Sequence, residues 1–319
     1  MSLLAQGPPH GQPARRSILL GALATTVLAA CGSSQTSTGS SSGGAAKTAG
    51  PLKMSAIPDQ DPEKLNRLYP TVAKRFAAAT GLDVQYQPVT DYPAVVRAFE
   101  IGDVYLAWMG GLTGVQARSR VPGAQAIAQR DIDASFHSLF IANKKSALTP
   151  FTDVGGLKEL AGHSLTFGSE TSTSGRLMPQ YFLKQAGLAE SELKGKPGFS
   201  GSHDATIEAV ASGSFEVGAV NEQVWTKAVA AGKVDLSSVV VLFETPGYAD
   251  YHWLARPDLD AKFGAGTLDK VKGLLLGLDS AKPDDKAVLD LFGAAKFIPT
   301  MNSNYDQIET VAKEEGLLA

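Results

Sequence analysis

The 319-residue chain has a single cysteine, Cys31. No intrachain disulfide and no multi-cysteine metal site can therefore form. Long apolar runs are also missing: the stretch from Ser17 to Leu28 falls well short of the roughly 20 residues that span a bilayer. Histidine is scarce, and His137, His163, His203 and His252 are scattered without metal-ligand spacing or a His-rich loop. Neither sign of charge dominates. Without Arg15 and Arg16 the balance is 27 basic to 32 acidic residues, a formal net charge of −5. That argues against nucleic acid and against an electrostatic membrane patch. It leaves a small anion open, because a local cluster of amides and hydroxyls outweighs the global sign. No catalytic motif is complete. Gly198-Phe199-Ser200-Gly201-Ser202 approaches a nucleophile elbow but lacks its final glycine.

The beginning of the chain carries an address. Arg15-Arg16, a short apolar core and Leu28-Ala29-Ala30-Cys31 make a secretory signal. Leu-Ala-Ala-Cys is similar to a bacterial lipobox, in which the cysteine is lipidated and becomes the mature N-terminus. Arg15-Arg16-Ser17 also resembles a twin-arginine signal, so the export route stays open. Residues 31–50 are dominated by Ser, Gly, Thr and Ala and have no aromatic or large aliphatic side chain, which predicts a flexible tether. Residues 1–30 are thus expected to be a lipoprotein signal peptide, and the mature protein an exported, membrane-anchored monomer.

Beyond the tether the chain is long enough for two lobes. Strand-like and helix-like segments alternate, which predicts parallel sheets covered by helices. The expected division is 51–143 with 245–319 as one lobe and 144–244 as the other. In such sheets ligands sit at the carboxyl ends of strands. Small polar groups gather at those corners: Asp91-Tyr92, Trp108-Met109-Gly110-Gly111, Ser172-Thr173-Ser174, Gly201-Ser202-His203-Asp204 and Asn221-Glu222. The loop from Gly168 to Gly175 leads from strand to helix. The first amides of a helix lack internal partners and carry partial positive charge, and Ser172, Thr173 and Ser174 add hydroxyl donors. Such a loop either caps its helix or holds an oxyanion. Pro179 predicts an irregular first turn or a start nearer Met178.

In their order these motifs resemble the phosphonate and phosphite substrate-binding proteins of ABC transporters, most of all the branch labelled selenate-binding. Val89 to Tyr92, Asp103 to Gly111, Phe136 to Ser138, Thr166 to Gly175, Gly201 to Ala205, Val220 to Glu222 and Pro246 to Trp253 carry the likeness. The resemblance implies a two-lobed α/β periplasmic-binding-protein (Venus-flytrap) fold that closes on a tetrahedral oxyanion and delivers it to a permease, with no cofactor and no chemistry. It gives the anion grip to Ser172, Thr173 and Ser174 and ligand contacts to Tyr92 and His203. Trp108, Asn221 and Tyr251 become pocket walls. Met109 and Gln223 depart from the pattern of aminophosphonate binders, leaving room for a smaller or fully deprotonated anion. Asp250 and Glu222 are candidates to receive a ligand's proton, which selenate and sulfate lack at neutral pH. A metal-binding receptor and, more remotely, a secreted hydrolase are the alternatives.

Overall fold

The computed structural model describes residues 50–318. The expectations for the signal peptide, for Cys31 and for nearly all of the tether lie outside those residues.

The first strand, β1 (Leu52–Ala56), is central to one sheet and its side chains are almost wholly buried. Helix α1 (Pro62–Thr80) follows. Asp61 caps it by accepting from the Glu63 amide at 2.8 Å, Pro62 begins it, and Gly81 ends it at φ 77°. Leu65, Tyr69, Val72 and Phe76 recur at helical spacing and face the sheet. Phe76 packs edge-on against Trp253, 5.2 Å between ring centres. Truncating so large a buried side chain costs about 3–5 kcal/mol.

The chain then adds β2 (Val84–Tyr86), α2 (Tyr92–Glu100), β3 (Leu106–Met109), α3 (Gly111–Arg120) and β4 (Gln125–Arg130). Residues 131–137 cross to a second sheet, built from β5 (Ser138–Asn143), β6 (Leu165–Phe167), β7 (Gly198–Phe199), β8 (Val217–Asn221) and β9 (Val239–Glu244). Its helices are α4 (Met178–Ala186), α5 (His203–Ala211) and α6 (Glu222–Ala230). Residues 245–251 return to the first sheet at β10 (His252–Ala255). The remainder covers that sheet: α7 (Leu259–Phe263), α8 (Thr267–Leu276), α9 (Pro283–Phe292), β11 (Phe297–Ile298) and α10 (Asp306–Glu314). Strand order is β11-β4-β10-β3-β1-β2 in one sheet and β7-β6-β8-β5-β9 in the other. Among the described residues no helix is long and apolar enough to cross a membrane.

Two expectations need correction. The sheets are mixed rather than parallel: β10 runs antiparallel to β3 and β4, and β5 antiparallel to β8 and β9. These are the strands entered from the crossing segments, where the chain reverses. Ser138–Asn143, assigned above to the first lobe, is a central strand of the second sheet. All six of its residues are buried, so its composition suits either core equally.

The crossing segments pair with each other. Phe136 and Tyr248 exchange backbone hydrogen bonds of 2.8 and 3.0 Å, and the Asp250 amide donates to the Asp133 carbonyl at 3.1 Å. A short ribbon therefore joins the lobes. The lobes also touch directly. The Leu112 amide donates to Thr173 Oγ1 at 3.0 Å, and the Asp61 amide to Asp204 Oδ2 at 2.9 Å. The two halves are closed upon each other.

Candidate anion-binding site

The loop after β6 reaches α4 through a π-helical turn, Thr173–Leu177. This is the irregular opening that Pro179 demands, since Pro179 then sits in the first turn of α4, where no amide is missed. Ser172 is the cap, its hydroxyl accepting from the Gly175 amide at 2.9 Å. Gly175 has no room for a side chain: a Cβ there would lie 2.9 Å from Ser172 Oγ and 3.0 Å from His203 Cε1. The amides of Thr173 and Ser174 begin the turn, where no carbonyl within it reaches them. Of the two readings of this loop, N-capping is met by Ser172.

The hydroxyls divide their work. Thr173 Oγ1 accepts from Leu112, the second residue of α3, and stitches the lobes together. Ser174 is fully buried, its carbonyl accepts from Ser138 Oγ at 2.8 Å, and its own hydroxyl has no hydrogen-bond partner among the described residues. Tyr92, at the start of α2, is also buried. Its phenol faces Ser172 yet makes no well-formed hydrogen bond. Native proteins rarely leave such groups unpaired in the interior.

His203 opens α5, completely buried, with Nδ1 accepting from the Asn221 amide at 3.3 Å. The proton therefore resides on Nε2, which lies 3.5 Å from the Tyr251 phenol. Burial lowers its pKa to about 3, so this imidazole is a neutral donor. Asn221 caps α6 through Oδ1 and gives its Nδ2 to Tyr251 Oη at 2.9 Å. Tyr251 stacks on Trp108 at 5.7 Å. Trp108 itself is enclosed by Trp253, Phe292 and Phe297, so it stands behind the polar cluster as a support.

Asp250 sits where the return crossing meets α3. Its Oδ1 accepts from the Gly111 amide at 2.8 Å, while its Oδ2 has no partner among the described residues. Burial pushes its pKa up to about 7, and nearby Asp133 adds to the rise, against the Gly111 amide, Thr173 and Arg130. A carboxyl so placed changes protonation near neutrality. Glu222, the other candidate, is half-buried and points to a different corner beside His137 and Glu244.

The buried charged residues Arg130, Asp133 and Asp59 escaped the sequence reading. Arg130 pairs with Asp133 at 2.5 Å, hydrogen-bonds Gln223, and lies over the rings of Tyr251, Trp108 and Phe136. Asp59 contacts Tyr251 and lends its carbonyl to the His203 amide at 3.2 Å; burial raises its pKa. Gln-Arg-Asp-Ile-Asp and Pro-Asp-Gln-Asp read as solvated loops, and only the topology sends them inward.

Contacts link these corners: the Tyr92 phenol faces Ser172, Thr173 meets Leu112, and His203 meets Asn221 and Tyr251, with the buried carboxyls of Asp59 and Asp250 near Tyr251. Residues 54–305 match the family described as "ABC transporter, phosphonate, periplasmic substrate-binding protein". The chain belongs to this family. It is a binding component of the ABC-transporter class and not an enzyme. One relative, the "probable ABC transporter phosphite binding protein PhnD1" of Prochlorococcus marinus, is 44% identical over 82% of this chain and 89% of its own length. The solved structure of that organism's PhnD1 in complex with methylphosphonate superposes with a TM-score of 0.82 at 43% identity, covering 84% of this chain and 98% of that one. A phosphonate-transporter binding protein of Pseudomonas aeruginosa shares the fold, with a TM-score of 0.72 at 19% identity over 83% and 86% of the two chains.

Proposed function

We propose that the protein captures a small, singly protonated phosphorus oxyanion, phosphite or a short alkylphosphonate, and passes it to an ABC permease. The observation that carries this reading is the free Oδ2 of Asp250 on a carboxyl with a pKa near 7, set among buried donors. Ser174, Tyr92 and His203 offer hydrogens to the ligand's bare oxygens. When ionised, Asp250 offers only lone pairs and accepts one hydrogen from the ligand, so one proton is shared between them. A phosphonate or phosphite monoanion has that hydrogen. Selenate and sulfate have only acceptor oxygens, and an ionised Asp250 repels them.

The energetics are adequate. Each hydrogen bond to a charged group contributes roughly 1.5–3 kcal/mol, and micromolar affinity needs about 8 kcal/mol net. Gln223 supports a small ligand: its amide is spent on the Phe292 and Gly293 carbonyls at 2.9 and 2.8 Å, and it supplies no charge for an amino group. The reading includes export, lipid attachment at Cys31 and a monomeric receptor on a Ser/Gly leash, supported by the lipobox-like residues and the tether composition.

Calorimetric titration with phosphite, methylphosphonate, phosphate, sulfate and selenate tests the ligand class. Tight phosphite or methylphosphonate binding with selenate rejected is the expected result. Selenate bound as tightly as phosphite would sink it.

A further inference from the structure

A second cluster lies outside the cleft, where both crossing segments enter the second sheet. Strand β5 runs between β8 and β9, with Ser138 opposite Asn221 and Leu139 opposite Glu244. One step beyond the first pair, His137 faces Glu222, whose amide donates to the His137 carbonyl at 3.3 Å. Residues directly opposite point to the same side of a sheet, as do residues two apart on one strand. His137, Glu222 and Glu244 therefore share one side, and one ligand atom from each lies within 4.8 Å of the others.

We propose that these three side chains form a divalent transition-metal site, of the zinc type, that ties the ends of the two crossing segments together. One imidazole and two carboxylates are a mixed nitrogen and oxygen set, which suits zinc and its neighbours better than magnesium or calcium. The His137 ring is already oriented: its Nδ1 meets the Thr245 carbonyl at 2.7 Å. A backbone carbonyl holding one ring nitrogen is the usual support of a metal-bound histidine; Nε2 is then left to ligate, and the ring turns from the approach to Glu244 Oε1 that Nδ1 makes at 3.8 Å. Among the described residues neither glutamate has a lysine or arginine within 4.0 Å, and Glu244 has only His137, at 3.8 Å. Glu222 is partly buried and its carboxylate lies close to that of Glu244. A dication relieves the repulsion between the two carboxylates. The cluster is open to solvent, since the Glu244 side chain is 60% exposed, and a water completes the coordination.

The site concerns the hinge rather than the anion. His137 ends the first crossing, Glu244 immediately precedes the second, and Glu222 begins α6, whose next residue, Gln223, hydrogen-bonds the first lobe. The test is titration of chelator-treated protein with zinc chloride, followed by calorimetry, in wild type, His137→Ala and Glu244→Gln. One zinc per chain is expected, weakened by at least roughly tenfold in either variant. Glu244→Gln changes an exposed side chain, so folding is not in question there. No zinc uptake by wild type would overturn the site, as would an affinity unchanged in Glu244→Gln and His137→Ala.

Discussion

The Gly111 amide donates to Oδ1 of Asp250 at 2.8 Å, while the other carboxylate oxygen is buried with no hydrogen-bond partner among the described residues. One backbone hydrogen bond thus holds this carboxyl, which with Asp59 is one of two buried acids near the Tyr251 phenol. It also exposes the Asp250 carboxyl to the positive end of α3, which only partly offsets burial. The proposed choice of ligand depends on this balance.

The first prediction is a pH dependence. Asp250 and the ligand together need one shared proton in the complex. Once pH exceeds both pKa values, that proton must be taken up from solvent on binding. The association constant for phosphite should then fall by about tenfold per pH unit. Calorimetry from about pH 6 to about pH 9 checks it. A flat profile would mean that Asp250 does not read the ligand's hydrogen.

Asp250→Asn should invert the preference. The amide oxygen still accepts from Gly111, and the amide nitrogen now donates to the cleft. Phosphite binding should weaken by tenfold or more, while sulfate or selenate binding gains a donor contributing roughly 1.5–3 kcal/mol. Stability moves too. Because the folded state raises the pKa of Asp250, it holds the proton more tightly than the unfolded chain. Wild-type stability therefore declines as pH rises from about 4 to about 7. The variant lacks this decline, so its Tm should exceed that of wild type at alkaline pH.

Much of this was legible beforehand, for identifiable reasons. Ser172 to Ser174 stood out because small hydroxyl residues between a strand run and a helix run serve few purposes. The spacing of Leu65, Val72 and Phe76 marks the core stripe of α1, in which Tyr69 rather than Leu68 completes the buried face. Strand β5 was misassigned to the first lobe because a fully buried strand carries no mark of which sheet it joins. Arg130 and Asp59 were missed because a charged residue beside Asp or Pro looks solvated. Arg130 is held instead by Asp133 and by the Tyr251 and Trp108 rings, contacts contributed by distant segments.

The serines should separate by role. The Ser174 hydroxyl has no hydrogen-bond partner among the described residues, so Ser174→Ala should weaken phosphite by roughly tenfold or more, the worth of a charge-assisted hydrogen bond, with Tm unchanged. Ser172 caps its turn, so Ser172→Ala should lower stability by about 1 kcal/mol in addition to any binding loss. Calorimetry beside thermal melts decides it. An unaltered affinity in Ser174→Ala would remove that hydroxyl from the site.

A latch lies away from the ligand. Glu315, after α10 in the first lobe, accepts from Gln180 Nε2 at 2.8 Å and from Lys184 Nζ at 3.0 Å, both on α4 in the second. Lys184 is 65% exposed, so the ion pair contributes only about 0–1 kcal/mol. Glu315→Ala should weaken phosphite by no more than about fivefold, and more salt should shrink the difference from wild type. A loss of several orders of magnitude would show that closure rests chiefly on this contact.

Gly110 offers the sharpest test of closure. Its φ of −74° suits any residue, so alanine imposes no local strain on the cap of α3. An added Cβ, however, would lie 3.0 Å from Thr173 Oγ1 and 3.2 Å from Asp250 Oδ1. Thr173 belongs to the opposite lobe, and the methyl would press apart the groups that meet only when the lobes close. The neighbours must each give by a few tenths of an ångström, a strain of about 1 kcal/mol paid mainly in the closed state. Gly110→Ala should therefore weaken phosphite by roughly three- to tenfold while the Tm of the ligand-free protein stays within a few degrees of wild type. Small-angle scattering should show the variant more open at the same ligand concentration. Equal affinity and equal compaction would mean that Thr173 and Asp250 yield freely, and the tight contact across the cleft would then carry no closing energy.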